Sequence, residues 1–372
     1  MFIYYNDGKK RTQLTCKVCK AKFQIHKRHR RKQKPSSDLY CPYCQRKLYN
    51  WKEQDHITIY KCGNKQCPCR LDNLKKLNLS EKMIQKMAPT HFKLNYQYRE
   101  YHFTPEQLRH SKPANSKVNL FKIHLSEFQL GLILSFHISF GLSARKTAFI
   151  CNQLYDMRIS DQTVRNYAQA AAAYCHEFNL KHKGPIDDII SGDETYIKVL
   201  GKHHYVWFIV SAEKRSIIAY HVADNRRTQP AIVAMSEAIR TADPDQKVTI
   251  ITDGNPSYPS GLHYINQDRD KDKKIKHIKV IGLENLDEDS TLYRAYKQII
   301  ERLNRTYKQH ARPFAGFNSF NGAVTLTTLF VTHYNFLRPH MALKYKMPIE
   351  IPQLRGIKTL PNKWIRILAM VA

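Results

Sequence analysis

The spacing of apolar residues predicts a helical middle part of the chain. Between residues 126 and 173, apolar side chains recur at helical intervals in three segments, each after a serine that can cap a helix: Ser126, Ser143 and Ser160. Gly141 and a turn at residues 156–158 separate the segments. Three short helices, the last with a polar face, indicate either a helix-turn-helix domain that binds DNA or a plain helical bundle.

From residue 187 onward, the period of the apolar positions changes to that of β-strands. Three runs rich in Ile, Val and Tyr precede alternating helical and short apolar segments, and residues 256–273 are predicted as a loop or a broken helix. Three antiparallel strands followed by α/β crossovers are typical of a ribonuclease-H-like domain. The predicted strands are 187–200, 203–212, 216–223, 247–252 and 276–281, and the predicted helices are 230–241 and 292–310.

The chain carries a large positive charge, which limits the kinds of molecule that it is expected to bind. Its 372 residues include 61 Lys and Arg against 31 Asp and Glu, a formal net charge of +30, and more than half of the surplus lies in the first hundred residues. A basic arm ahead of a more balanced body favours double-stranded DNA over a ribosomal or membrane-surface role. The longest apolar stretch, residues 130–140, is too short to span a bilayer and no signal peptide is visible. We therefore expect a cytoplasmic, nucleoid-associated protein that binds no membrane.

Seven of the nine cysteines lie between residues 16 and 69. Closely paired thiolates suit tetrahedral Zn²⁺, and nothing nearby resembles a thioredoxin-like redox unit. The second and third cysteine groups are separated by 17 residues, the spacing of a zinc ribbon with its hairpin at residues 51–60. Either these two groups form one site and the first group uses His26 or His29, or the first two groups pair and the third uses His56. The candidate zinc ligands are Cys16, Cys19, Cys41, Cys44, Cys62 and Cys67. Cys69 follows Cys67 by two residues in the third cysteine group.

Three acidic residues lie among apolar residues or at a strand end, where a carboxylate is expected to bind a metal ion or to pair with another charged group. Asp193 lies inside an apolar strand, Asp253 ends a buried strand, and Glu301 lies on the long helix among apolar neighbours. If the first and fourth strands are neighbours, the acids converge, and such hard ligands suit Mg²⁺ or Mn²⁺ in two-ion phosphoryl transfer. Each acid also has an alternative explanation: Glu194 could replace Asp193, Asp253 could form a turn, and Glu301 could pair with Arg305.

Four motifs in the second half of the chain point to a known family. They are DETYIKV at 193–199, TDGNPSY at 252–258, IERLNRTYK at 300–308 and HYNFLRPH at 333–340. In this order they resemble the first-Asp, second-Asp, Glu and closing motifs of the DDE transposases of bacterial and archaeal insertion sequences, relatives of retroviral integrases. The resemblance implies that Asp193, Asp253 and Glu301 form the metal-binding and catalytic triad. It also implies hydrolysis at a transposon end and attack of the freed 3′-hydroxyl on target DNA.

The same resemblance implies DNA contacts and an assembly. Lys308 follows Glu301 by two helical turns on the same face, so it would contact DNA near the cut. Arg338 and His340 would steady the site or bind phosphate. We expect a homodimer or higher oligomer on DNA, because two transposon ends must be joined.

These predictions describe a multidomain α/β protein: a zinc-ribbon-like module (1–75), a helix-turn-helix domain (76–182), a ribonuclease-H-like catalytic domain (183–345) and a C-terminal tail (346–372). A transposase that binds terminal inverted repeats and catalyses strand cleavage and transfer is the predicted function. A metal-dependent nuclease and a domesticated, sequence-specific DNA-binding protein are the alternatives, whereas the strand-rich second half argues against a tyrosine recombinase. The predicted DNA contacts at the start of the last short helix are Gln162, Thr163 and Arg165.

Overall fold

The computed structural model describes residues 39–54, 56–88, 92–267, 269–280 and 287–371 in full and, ahead of them, the backbone of four short strands. Contacts group the chain into two units, Met1–His102 and Phe103–Ala372. The finer boundaries expected after residues 75, 182 and 345 stay predictions. No helix in the described ranges is both long and apolar enough to cross a membrane.

The first unit consists of short antiparallel strands and two helices. Its elements are β1 (Tyr5–Asn6), β2 (Thr12–Thr15), β3 (Lys22–Gln24), β4 (Pro35–Tyr40), β5 (Lys47–Gln54), β6 (Ile57–Lys61), α1 (Pro68–Lys75), α2 (Leu79–Met87) and β7 (Gln97–Tyr101). The strands β1 to β3 form one sheet and β4 to β7 form another, each in chain order. The β5–β6 hairpin joins the second and third cysteine groups, as the sequence predicts. Leu48 and three buried cysteines make the small core beside it.

The second unit contains a five-stranded mixed sheet. Its strands are β8 (Ile189–Val199), β9 (Lys202–Ser211), β10 (Ile217–Ala223), β11 (Thr249–Thr252) and β12 (Lys276–Lys279). They lie in the order β10-β9-β8-β11-β12, with the first three antiparallel and β8, β11 and β12 parallel. This arrangement confirms the predicted ribonuclease-H-like strand order, and it makes β8 and β11 neighbours in the centre of the sheet.

Helices cover both faces of this sheet. They are α3 (Glu127–Leu134), α4 (Ala144–Tyr155), α5 (Asp161–Lys181), α6 (Thr228–Ile239), α7 (Ser257–Ile265), α8 (Glu288–Ala311), α9 (Phe320–Thr332) and α10 (Leu360–Ala369). Side chains from α3, α5, α8, α9 and α10 share one core with one face of the sheet, and α6 and α7 cover the other face. The expected tail therefore contains a helix that packs in the main core through Trp364. It approaches α3 at Gly131, where a Cβ atom would lie 2.4 Å from the carbonyl oxygen of Pro361.

Candidate active site

Asp193 and Asp253 meet at the same level of two adjacent parallel strands. Ile251 of β11 is paired with Ser191 of β8, and each acid lies two residues further along its strand direction. The two carboxylates can each offer one oxygen within 4.8 Å of the other. Strand register alone thus brings together two acids that are sixty residues apart in the sequence.

Two side chains from α8 hold the Asp193 carboxylate. Lys297 places its Nζ 3.3 Å from Asp193 Oδ2, and Asn304 donates from Nδ2 to the same oxygen at 3.1 Å. The side chains of Lys297 and Asp193 are only 11% and 17% exposed, so this ion pair is largely shielded from water. Burial raises the pKa of Asp193, and the nearby carboxylates of Glu194 and Asp253 raise it further, whereas Lys297 opposes the shift.

Glu301 lies on the helical stripe that faces Asp193. It follows Lys297 by four residues and precedes Asn304 by three, so the three side chains share one face of α8. Its carboxylate is exposed and takes part in no ion pair within the described part of the chain. The compact acidic group consists of Asp193, Glu194 and Asp253, and it does not include Glu301. The structure therefore brings two of the three predicted acids together and places the third on the adjoining helix face.

Glu194, the alternative acid, is fully engaged by protein donors. Its side chain is 1% exposed, Arg226 donates to Oε1, Asn255 donates to Oε1 at 2.8 Å, and the Tyr258 hydroxyl donates to Oε2 at 2.8 Å. The backbone N–H of Asn255 also donates to Asp253 Oδ1 at 2.8 Å. Glu194 therefore ties the loop after β11 to β8 and fixes the position of Asp253.

The donor set at this site suits a hard divalent cation. Asp193 and Asp253 offer converging carboxylate oxygens, which are the ligands that Mg²⁺ and Mn²⁺ prefer. The oxygens of Glu194 already accept hydrogen bonds, so this carboxylate is the least available of the group. Glu301 forms no ion pair with any described residue and lies on the adjoining helix face.

A second group of potential metal ligands lies in the first unit. The sulfur atoms of Cys41, Cys44, Cys62 and Cys67 lie within 4.8 Å of one another. Sγ–Sγ distances of 3.7 Å (Cys41 to Cys67) and 3.6 Å (Cys44 to Cys62) suit four thiolates around one tetrahedral ion. Burial opposes ionisation of Cys44, but hydrogen bonds from the Arg46 backbone and from neighbouring side chains lower its pKa to about 6. This grouping matches the first of the two pairings that the sequence left open.

Two of the predicted zinc ligands, Cys16 and Cys19, lie outside the described residues, as do His26 and His29. His56, which the alternative pairing would use, is not a member of the four-cysteine group.

The predicted DNA-contacting residues fall into separate places. Lys308 lies on the exposed surface of α8, with its Nζ 4.5 Å from the ring centroid of Tyr196 on β8. Arg338 stacks over Tyr334, and the ring of His340 also packs against Tyr334. Their segment is anchored through Asn335 to the start of β10, two strands away from β8.

The three polar residues predicted to contact DNA lie in the first turns of α5. Gln162 and Arg165 line a cavity of about 530 Å³, and Arg165 forms an ion pair with Asp161 at 2.8 Å. Thr163 donates its backbone N–H to the capping hydroxyl of Ser160. A short turn joins α4 to α5, and α5 continues into the main core through Ala168 and Phe178, so the helix-turn-helix stays a prediction.

Several residues of the site carry no signal in the sequence. Lys297, Arg226 and Tyr258 acquire their roles from packing between distant segments, and no spacing rule connects them with Asp193. Asn304 is the exception, because a polar residue one turn after Glu301 marks the same helix face.

Comparison with known proteins assigns this domain. Residues 189–328 match the family model DDE_Tnp_IS240, a DDE domain. Among solved structures, the magnesium-bound catalytic core of HTLV-2 integrase shares 16% identity over 43% of this chain and 92% of its own, with a TM-score of 0.31. The Mos1 strand transfer complex shares 9% identity over 55% and 83% of the two chains, with a TM-score of 0.21. No curated protein matches the chain. The match covers the strands and helices that hold the acidic site, so residues 189–328 are a DDE domain, the catalytic domain of enzymes that cut and join DNA strands.

Proposed function

We propose that the protein binds the terminal inverted repeats of a transposon, cuts the DNA there and joins the freed 3′-hydroxyl to target DNA. The reaction takes place at a site formed by Asp193, Asp253 and Glu301. The observation that carries this proposal is the meeting of Asp193 and Asp253 on neighbouring parallel strands beneath the face of α8 that presents Glu301.

The chain's own residues orient this site. Lys297 and Asn304 engage only Oδ2 of Asp193, which leaves its other oxygen available as a ligand. The Asn255 N–H fixes Asp253 in the same way. Bound Mg²⁺ or Mn²⁺ would activate the attacking oxygen and stabilise the leaving oxygen in phosphoryl transfer. No protein nucleophile is required, so the tyrosines near the site serve packing and hydrogen bonding.

DNA binding is assigned to three parts of the chain. The basic first unit, with Zn²⁺ held by Cys41, Cys44, Cys62 and Cys67, would form a zinc-ribbon-like DNA-binding module whose metal is structural. The α4–α5 pair would act as the helix-turn-helix. Lys308 would contact the strand near the cut, and two copies of the chain would hold two transposon ends.

The proposal is tested with Asp193→Asn in the full-length protein. The substrate is a labelled duplex that carries the inverted repeat flanking the gene, incubated with Mg²⁺. We expect the variant to bind this duplex as the wild type does, yet to release no 3′-hydroxyl product and to form no joint molecules with a target plasmid. Asp270→Asn is the matched control, because Asp270 is exposed and caps no helix through its side chain. Normal cutting by Asp193→Asn would contradict the proposal, and cutting without strand transfer by the wild type would favour the nuclease alternative.

A further inference from the structure

A cavity of about 530 Å³ lies in the second unit, away from the acidic site. Its walls come from the start of α4, the first half of α5, the loop of residues 313–319 and the start of α9. This volume is within the range of pockets that bind small molecules. The walls belong to the predicted DNA-binding helices on one side and to the DDE domain on the other.

The cavity is electropositive. Arg145 and Arg165 both line it, together with His137 and several side-chain amides, and none of the described residues that line it is acidic. Arg165 is tied to Asp161 at 2.8 Å, but the two side chains are 53% and 36% exposed. An exposed ion pair of this kind contributes little free energy to stability, so the guanidinium can exchange the Asp161 carboxylate for another anion.

Two helices point their N-termini at the same space. Ser143 caps α4 and Ser319 caps α9, and both serines line the cavity. Each hydroxyl satisfies only the third N–H of its helix, that of Lys146 or Gly322. The preceding N–H groups have no partner within their helices, and the positive ends of both helix dipoles add to the charge of the two arginines.

The cavity is connected rigidly to the strand that carries Asp193. The Phe317 N–H donates to the Lys198 carbonyl at 2.7 Å, and the Leu200 N–H donates to the Phe317 carbonyl at 2.8 Å. Val199, the residue between them, follows Asp193 by six positions, which corresponds to about 20 Å along a strand. About six base pairs of B-DNA span that distance, so one duplex can reach both the acids and the cavity.

We infer that this cavity binds a phosphate ester, and that its ligand is a phosphodiester of the DNA backbone some distance from the cut. Two guanidinium groups and two helix N-termini, with Asp161 as an exposed and exchangeable partner of one guanidinium, form a site for a phosphate, and the DNA substrate supplies phosphates at this spacing. The inference rests on the proposed function only in taking DNA as the substrate. It assigns Arg145 and Arg165 to phosphate binding, which is independent of base sequence.

The test measures binding of the full-length protein to a short fluorescent duplex of arbitrary sequence, by anisotropy, between about 50 and 200 mM salt. Removing two phosphate contacts with Arg145→Gln plus Arg165→Gln should lower the slope of log affinity against log salt by about 1.8, and each single variant by about 0.9. At about 0.1 M salt, one decade below the 1 M reference, the double variant should bind roughly sixtyfold more weakly. Arg355→Gln is the control, because Arg355 is 73% exposed, does not line the cavity and lies outside the elements assigned to DNA binding.

A slope and an affinity equal to those of the wild type would overturn the inference. Thymidine monophosphate added at constant ionic strength tests the source of the phosphate. If it binds the wild type but not the double variant while both proteins bind DNA with the same affinity and salt slope, the ligand is a free nucleotide and the backbone assignment is wrong. Cleavage at saturating end DNA keeps the two proposals apart. If the wild type cuts end DNA and the variants bind DNA as well as the wild type does, only the cavity inference is rejected. If the wild type does not cut and the variants bind DNA more weakly, only the proposed function is rejected.

Discussion

Replacing Lys297 with Gln should destabilise the metal-free protein and make it more responsive to divalent ions. The ammonium lies 3.3 Å from Asp193 Oδ2, and both side chains are mostly buried. At an effective dielectric constant of about 20, the attraction at this distance is about 5 kcal/mol. Breaking a buried pair by removing one partner costs about 3–5 kcal/mol. We expect the lower end, about 3 kcal/mol, because Asn304 keeps its hydrogen bond to the same oxygen.

The assay for Lys297→Gln is thermal unfolding in EDTA at a pH near 8, because alkaline pH disfavours the uptake of a proton by Asp193. A domain of this size loses roughly 2–4 °C of Tm per kcal/mol, so the expected decrease is roughly 6–12 °C. Added Mn²⁺ should raise the Tm of the variant by more than that of the wild type, because a positive charge beside the carboxylates has been removed. Lys276→Gln is the control, since Lys276 is exposed and begins β12 at the opposite end of the sheet from Asp253. An unchanged Tm in EDTA, or a smaller response to Mn²⁺ than that of the wild type, would refute this reasoning.

Three further predictions concern other parts of the molecule. Cys62→Ser should release zinc, measured by metal analysis, and weaken DNA binding without abolishing the fold of the second unit, whereas Cys69→Ser should retain the metal. Burial lowers the pKa of His176 to about 4 and that of His221 to about 3, below the usual value of about 6.5. Unfolded chains then bind more protons than folded ones between about pH 6.5 and 4, so stability should fall on acidification through that window by up to about 1.4 kcal/mol per pH unit for each histidine, as thermal melts would show. Tyr258→Phe removes a buried donor to a carboxylate and should cost about 1–3 kcal/mol in urea unfolding, with slower cleavage and unchanged end binding.

The sequence predicts the order of the strands well because each strand carries its own signal. The runs that become β8 to β12 are rich in branched and aromatic residues, and the observed bounds differ from the predicted ones by one or two residues. The long helix α8 is equally clear, since its apolar positions recur along one face. Local pattern therefore accounts for most of the catalytic fold.

Other helices are missed for definable physical reasons. Residues of α9 from Ala323 to Thr332 are buried on all sides, so no polar face alternates with an apolar one. Residues 256–273 are predicted as a loop or a broken helix because Pro259 and Gly261 weaken the helical pattern, and α7 occupies the first part of that range and packs against α6. In α10, Pro361 lies in the first turn, where proline is tolerated. These helices form because tertiary burial outweighs weak local propensity.

The active site is only partly predictable from the sequence. Asp193 follows from an acid inside an apolar strand and Asp253 from an acid at a strand end, and the parallel register places the two at one level. The partners of Glu194 and the counter-ion Lys297 do not follow, since their contacts join segments 32 to 104 positions apart. Charge pairs of this kind depend on three-dimensional packing, which a single sequence does not show.

The central claim is that Glu301 completes the site with Asp193 and Asp253, and cleavage by Glu301→Gln tests it most directly. The assay follows cutting of end DNA in Mg²⁺, with Glu288→Gln as the matched control at the exposed start of the same helix. Losing an outer partner of a metal site costs up to about a hundredfold, so losing a ligand should reduce the rate by more than about a hundredfold while binding persists. A Glu301→Gln protein that cuts end DNA at the wild-type rate would contradict the account.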